Sequence, residues 1–469
     1  MLFNSIDYLL FLPFTIIIYY LLPNRFRWIL LLAGSYFFYG SWNPKYLILI
    51  IFSTCTVYLA GIIMNVQETS RQRLPYLIVA LVINLGLLFT FKYANFAFDT
   101  LNRFFYKFDL PQRLPFLKIL LPVGISFYTF QALGYAIDVY KGKTHAEKHP
   151  GYFALYISFF PQLVAGPIER YTNLSPQLKA KHLIRYDNFS NAFRLVLYGI
   201  FVKMVIADNL AIYIDNIYQN PEGYNSLSIL TALFFYSFQI YCDFYGYSLV
   251  AIGSAKFFGI DIMDNFRTPY LARSIGEFWQ RWHISLSTWF RDYLYIPLGG
   301  NKVNVIRWGI NILAVFILSG IWHGANWTFF IWGSLFGILY LLEKIFGKYA
   351  DFNATDPFLF QHVPRIFIIF TITTIAWVFF RGENLDKIKL IFQSVIRNQN
   401  IHDSFNVPIY VWTFVIVFIV SDLSLYNTRI DKWIGSKHII VRWALYICLI
   451  SSIIMFASIE EYPFIYFQF

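Results

Sequence analysis

Residues 308–342 read WGINILAVFILSGIWHGANWTFFIWGSLFGILYLL, without one Asp, Glu, Lys or Arg. The hydrocarbon core of a bilayer takes about 20 apolar residues as a helix, so this run belongs in a membrane. Inside it, LSGIWHGANW over 318–327 sets a histidine between two tryptophans and two glycines. From Trp308 to His323 is about 22 Å of helical rise. An ionisable side chain at that depth is costly and points to function. Gly320 and Gly324 permit a helix break or a close backbone approach. Asn326 is spaced to fix the imidazole tautomer or to polarise a carbonyl. The competing structural reading is a neutral histidine hydrogen-bonded to a neighbouring helix.

The rest of the chain agrees with the membrane reading. Its 469 residues are 58% hydrophobic, 21% aromatic and 13% charged, against about 25% charged in a soluble domain. Mean hydropathy is +0.53. Soluble globular, disordered, collagenous and disulfide-framework proteins are excluded. The formal charge of +11 reads as the cytoplasmic excess of Lys and Arg, not as a nucleic-acid surface. Cys55, Cys242 and Cys448 lie in apolar runs and read as small buried hydrophobes.

Further apolar stretches fall at 8–22, 28–39, 46–64, 74–91, 119–140, 189–217, 227–253, 366–380, 407–420 and 443–457. Residues 152–164 are apolar but short, and suit a buried or re-entrant piece. The expectation is an all-α polytopic membrane protein with about 9–12 crossings, read as one domain over 1–469 without linker or repeat. The first span lacks a basic leader and a small-residue cleavage site, and is expected to be retained. Residues 215–226 and the tail 458–469 carry carboxylates and no Lys or Arg, which places them outside. Residues 254–308 hold Lys256, Arg267, Arg273, Arg281, Arg291, Lys302 and Arg307, which places them on the cytoplasmic side, partly re-entrant. Residues 92–118 are basic where alternation wants them outside. An interfacial helix with Phe98, Leu101, Phe105 and Phe108 toward lipid accounts for this.

Polar groups concentrate in 273–292, RSIGEFWQRWHISLSTWFRD. This is too polar for lipid and too aromatic for a plain loop. It fits irregular backbone packed inside protein or lining a wet cavity. Arg281 and Arg291 suit a phosphate, or ion pairs with Glu277 and Asp292. Lys203 and Asp208 read as a structural pair, and Asp243 sits in an aromatic island, YCDFYGY over 241–247. The other histidines lie in polar or loop-like stretches. HExxH, GxSxG, P-loop and calcium-loop signals are absent, so metal-dependent, triad and ATP chemistry have no support.

Several motifs together resemble the membrane-bound O-acyltransferases of bacteria. They are MLFNS at 1–5, GSWN at 40–43, LPVGISFYTF at 121–130, PQLVAGPI at 161–168, DFYGYS at 243–248, FWQRWHISLSTWFRDY at 278–293 and IWHGANW at 321–327. The resemblance runs over about two-thirds of the chain, and is nearest to the membrane subunits of alginate and peptidoglycan O-acetylation systems. It implies a helical ring around a thin centre with funnels from both faces, in a bacterial cytoplasmic (inner) membrane. It implies His323 as catalytic base and His283 as the second histidine of the site, with His283 or Asn326 holding the thioester carbonyl. It further implies acetyl-CoA as acyl-donor substrate, with no bound cofactor or metal. Arg267, Arg273, Arg281 and Arg291 would meet the donor's phosphates. The acyl group would then reach a cell-envelope or exported polysaccharide through an extracytoplasmic partner of the SGNH-hydrolase-like type. The tail PFIYFQF at 463–469 reads from composition as an aromatic anchor. On the resemblance Tyr466 becomes an acyl carrier. D-alanyl transfer from a carrier protein to teichoic acid is the alternative within the family. A non-enzymatic transporter is the rival outside it, and would call for inverted repeats.

Overall fold

The computed structural model describes residues 1–164, 166–347, 352–397, 407–457 and 464–465. Among these residues the secondary structure is helical, with no strand. A helix closes its backbone hydrogen bonds within itself, which lipid demands. Among the described residues eight helices are long and apolar enough to cross a membrane, and Ile6–Leu21 and Ile409–Ser424 are shorter apolar helices. The polytopic all-α fold expected from the sequence is the one observed.

One expected span is corrected. Residues 308–342 do not form a single helix but two, Val305–His323 and Trp327–Phe346. Gly324 takes extended backbone, and the Asn326 side chain caps the second helix by accepting from the Thr328 amide at 3.1 Å. The expectation for the cysteines also changes: Cys242 is buried, but Cys55 and Cys448 are exposed. Both exposed thiols sit on helices long and apolar enough to cross a membrane, where an outward-facing side chain suits lipid.

Contacts divide the chain into two compact units. The first comprises Met1, Asp7–Ile184 and Phe258–Ile262; the second comprises Leu2–Ile6, Arg185–Phe257 and Met263–Phe469. In the first unit, Ile125–Tyr140 is buried along nearly its whole length and packs on Leu47–Val66 and Ser70–Leu88. Gly61 admits the Tyr135 ring, which would stand 3.0 Å from a Cβ there. The short apolar stretch after residue 150 forms the helices Pro150–Ser158 and Phe160–Leu163, both largely buried. The stretch 92–118 begins as helix Ala94–Lys107, continuous with Ser70–Leu88 through a π-helical turn. Leu101 and Phe108 are exposed there, while Phe98 and Phe105 are half-buried. The chain then returns along this helix. Asn95 exchanges two hydrogen bonds with the Leu117 backbone, 2.9 and 2.8 Å, and Asn102 does the same with Leu114, 2.9 and 2.7 Å.

In the second unit small residues set the spacing. A Cβ on Gly246 would lie 2.7 Å from the Gly199 carbonyl, and one on Gly253 would lie 2.9 Å from that of Ala192. This close crossing of Ser226–Phe257 over Tyr186–Ile200 brings Lys203 against Asp243. Gly320 and Gly333 do the same for the 305–346 hairpin: their Cβ atoms would lie 2.3 Å from the Phe329 carbonyl and 2.4 Å from that of Phe316. Arg381 pairs with Asp215 at 2.5 Å near one end of the helices. Toward the other end the Tyr426 hydroxyl donates to the Asp356 carbonyl at 3.0 Å.

Gly333→Leu is therefore expected to cut the folded, monodisperse fraction several-fold in size-exclusion profiles of membrane extracts. Gly86→Ala, with nothing within 4 Å of the new methyl, is expected to leave that profile unchanged.

Candidate active site

His323 is the last residue of Val305–His323, so the helix delivers its imidazole at the tip of a hairpin. The residue is 1% exposed. Its ring meets Trp322 and Trp332 at 5.1 Å each and Phe380 at 5.3 Å. A Cβ on Gly324 would lie 2.0 Å from the Phe329 ring, so glycine is required for the turn that ends the helix here.

His283 lies 6.2 Å from His323, ring centre to ring centre. It comes from a different element, the junction of the short helices Ile275–Arg281 and Ile284–Phe290. Its backbone is left-handed, with φ +43°, and the residue is fully buried. Non-glycine residues adopt that conformation when the surroundings force it, and such positions cluster at functional sites. Here the forcing groups are visible. The Asn265 carbonyl accepts from the Ile284 amide at 2.9 Å, and the Asn265 side chain accepts from the Ser285 hydroxyl at 2.6 Å. The Arg267 amide donates to the Arg281 carbonyl at 3.0 Å. Phe244 packs edge-on against the His283 ring at 4.7 Å.

Under this junction lies a buried charge cluster. Glu277 accepts from Arg273 Nε and Nη2, and from Arg281 Nε, each at 2.9 Å. Arg281 also donates to the Thr268 hydroxyl at 3.2 Å and the Tyr426 hydroxyl at 2.8 Å. Three charges with side chains at most 2% exposed are tolerable because nearly every donor has an acceptor. Of the four arginines expected at a donor's phosphates, Arg273 and Arg281 are therefore engaged inside the protein. Arg267 and Arg291 are 57% and 59% exposed along their side chains. Both line a cavity of about 640 Å³, together with Trp279, Ser287, Tyr295 and Ser319. Ser319 is four residues before His323, one helical turn along the same face. A neighbouring cavity of about 510 Å³ shares Arg267, Ala354 and Thr355 and adds Asp264, Arg429 and Lys432.

Asn326 caps the following helix, and its Nδ2 donates to the Glu383 carbonyl at 2.6 Å. The pair Lys203–Asp208 extends to Asp243, which Lys203 Nζ approaches at 2.5 Å. Asp243 also accepts from the Ile465 amide at 2.7 Å. Phe464 stacks on Tyr247 at 4.8 Å and packs on Phe244 at 5.4 Å, so it is buried one ring away from His283, and Ile465 is buried next to it. Tyr466 lies outside the described residues. His149 and His438 cap helices, and His182 Nε2 donates to the Gln177 carbonyl. Sequence reasoning missed Asp422, which accepts from the Tyr241 hydroxyl at 2.9 Å. Its signal was a carboxylate just past the apolar run 407–420.

The family model of the membrane-bound O-acyltransferases matches residues 146–381, a stretch that includes both histidines, Arg267 and Arg291. The chain is 41% identical to the probable alginate O-acetylase AlgI of Pseudomonas aeruginosa, over 82% of this chain and 73% of the relative. It is 34% identical to the peptidoglycan O-acetyltransferase of Helicobacter pylori, over 78% of this chain and 73% of that protein. It is 31% identical to the teichoic acid D-alanyltransferase of Streptococcus thermophilus, over 46% of this chain. With half its length matched by one family model and relatives of this identity along most of it, the chain belongs to the membrane-bound O-acyltransferase family and is a multi-pass membrane acyltransferase.

Proposed function

We propose that this enzyme takes an acetyl group from cytosolic acetyl-CoA and delivers it, across a bacterial cytoplasmic membrane, for O-acetylation of an envelope or exported polysaccharide. The observation that carries this reading is the buried pair His323 and His283, 6.2 Å apart, with an arginine-lined cavity that reaches Ser319, one helical turn before His323, and Phe464 of the C-terminal tail one ring away from His283. The names of the relatives support acetyl and polysaccharide over other acyl groups and acceptors.

The physical logic starts with charge. Coenzyme A is large and anionic, and taking its phosphates through lipid is prohibitive. The acetyl group is small and neutral. Arg267 and Arg291 hold the phosphates at the cytoplasmic mouth, while Arg273 and Arg281 shape the wall behind them. The thioester enters past Ser319 toward His323. His323 takes the proton of an attacking hydroxyl as general base. The new C–O bond forms as the C–S bond breaks, and the imidazolium returns its proton to the departing thiolate. His283 donates a hydrogen bond to the carbonyl oxygen as it gains charge. The attacking hydroxyl is that of Tyr466, two residues beyond the buried Phe464. The resulting tyrosyl ester is passed to an extracytoplasmic SGNH-hydrolase-like partner, which transfers the acetyl to a sugar hydroxyl. Splitting the crossing into two shorter transfers is the benefit of covalent relay.

His323→Ala is expected to lower acetyl ester in the envelope polymer about 10²–10⁴-fold while the protein still reaches the membrane; wild-type ester content would rule out the base. Tyr466→Phe should abolish acetylation of the C-terminal peptide, read by mass after incubation with acetyl-CoA, and full polymer acetylation in that variant would return the tail to an anchor. Arg291→Ala should raise the KM for acetyl-CoA with the melting temperature unchanged. Glu277→Gln, which leaves two buried guanidiniums without their counter-charge, should instead destabilise the fold by about 3–5 kcal/mol, seen as a lower melting temperature in detergent.

A further inference from the structure

The buried cluster of Lys203, Asp208 and Asp243 is not used by the chemistry above, yet it sits in the most deeply packed pair of helices in the second unit. Lys203 Nζ lies 2.6 Å from Asp208 Oδ1 and 2.5 Å from Asp243 Oδ1, and all three side chains are at most 4% exposed. One cation reaches only one oxygen of each of two carboxylates. A buried carboxylate in that position needs a further donor. The donor is the Ile465 backbone amide, which meets Asp243 Oδ2 at 2.7 Å. It comes not from the helices but from the C-terminal tail.

We propose that the Lys203–Asp208–Asp243 cluster is a seat for the C-terminal tail, with Asp243 as the positioning residue that holds the chain at Ile465. The proposal rests on the reading that Tyr466 carries the acyl group, and adds to it the device that aims the carrier. Three contacts make up the seat. Asp243 grips the amide of Ile465. Tyr247 stacks on Phe464 at 4.8 Å, while its own ring stands 5.6 Å from Lys203 Nζ and its hydroxyl donates to Asn4 at 2.9 Å. Phe244 touches Phe464 at 5.4 Å and His283 at 4.7 Å. Tyr466 follows Ile465 directly in the sequence, so a seat at Ile465 acts on the residue next to the proposed carrier. Positioning of this kind is a large share of catalysis when a carrier must meet a buried donor.

The geometry of the helices explains why the charges meet here. Lys203 lies on a π-helical turn, Phe201–Ala207, that interrupts the helical run from Tyr186 to Gln219. Such turns carry one extra residue and often mark functional positions. Gly246, one turn from Asp243, has no side chain; a Cβ there would lie 3.0 Å from the Lys203 amide. The glycine admits the lysine, and the lysine orients the aspartate toward the tail.

The test uses the full-length protein in lipid nanodiscs and three variants. Ile465→Pro removes the tail's donor and leaves the ion cluster whole. Asp243→Ala removes the acceptor and leaves the Lys203–Asp208 contact. Asp243→Asn keeps an acceptor oxygen without the charge. Tail release is read as the rate at which carboxypeptidase trims the C-terminus, followed by intact mass. Trimming is expected to accelerate about tenfold, the equivalent of one charge-assisted hydrogen bond, in Ile465→Pro and Asp243→Ala, with Asp243→Asn in between. Acetyl transfer should show a lower kcat with an unchanged KM for acetyl-CoA, since the donor cavity is untouched. Trimming of Ile465→Pro and Asp243→Ala at the parent rate overturns the seat. Accelerated trimming together with a fully active Tyr466→Phe upholds the seat and overturns the relay.

Discussion

One carboxylate, Glu277, holds two guanidiniums inside the second unit, and much of the site's geometry hangs from it. The segment 263–304 is made of short helices and turns, not of a span. Backbone of that kind survives at membrane depth only where protein satisfies its polar groups. Arg281 does so for the Arg267 carbonyl and the Thr268 side chain. The strand-like pairing of 265–267 with 281–285 follows, and with it the left-handed turn at His283. Removing the carboxylate would leave buried positive charge without compensation, which is far more costly than never burying it. The cluster therefore contributes specificity of backbone conformation more than net stability.

His323, the other histidine, arrives by a different route. His323 owes its place to shape: Gly320 and Gly333 let two helices touch backbone to backbone, and Gly324 ends the first beneath the Phe329 ring. Trp322, Trp332 and Phe380 then surround the imidazole. Aromatic walls exclude water and keep the local dielectric low. In such surroundings a hydrogen bond to a developing oxyanion is worth much more than in solution. A salt cluster fixes one histidine and close packing fixes the other, so the pair is held from two sides by unrelated forces.

How much of this could be read from the chain itself follows from the range of each interaction. Helices were legible because apolar runs of membrane length dictate them locally. His323 and His283 stood out as polar residues in aromatic surroundings, and the motifs around them carried the family resemblance. The break after His323 was hinted at by its glycines, but its position needed the Asn326 cap. The division of the arginines was not legible. Arg273 and Arg281 have the same local pattern as Arg291, and what separates them is Tyr426, Asp356 and the carbonyls of Asn353 and Pro357, all distant in sequence. Asp422 escaped for the same reason, because its partner Tyr241 lies on another helix.

The distribution of buried charge carries a further implication. In a bilayer every buried ionisable group is a standing cost, so its location is informative. The second unit holds Glu277 with its arginines, Asp243 and Asp208 with Lys203, and Asp422 with Tyr241, all deeply buried. Two of these three clusters touch a segment that must be held in place for the proposed chemistry: the His283 junction in one case and the tail in the other. A membrane protein that needed only to span lipid could replace all three with leucine and gain stability. Their presence is best understood as the consequence of placing irregular backbone, two histidines and the segment at Phe464 and Ile465 together where water cannot supply the missing hydrogen bonds.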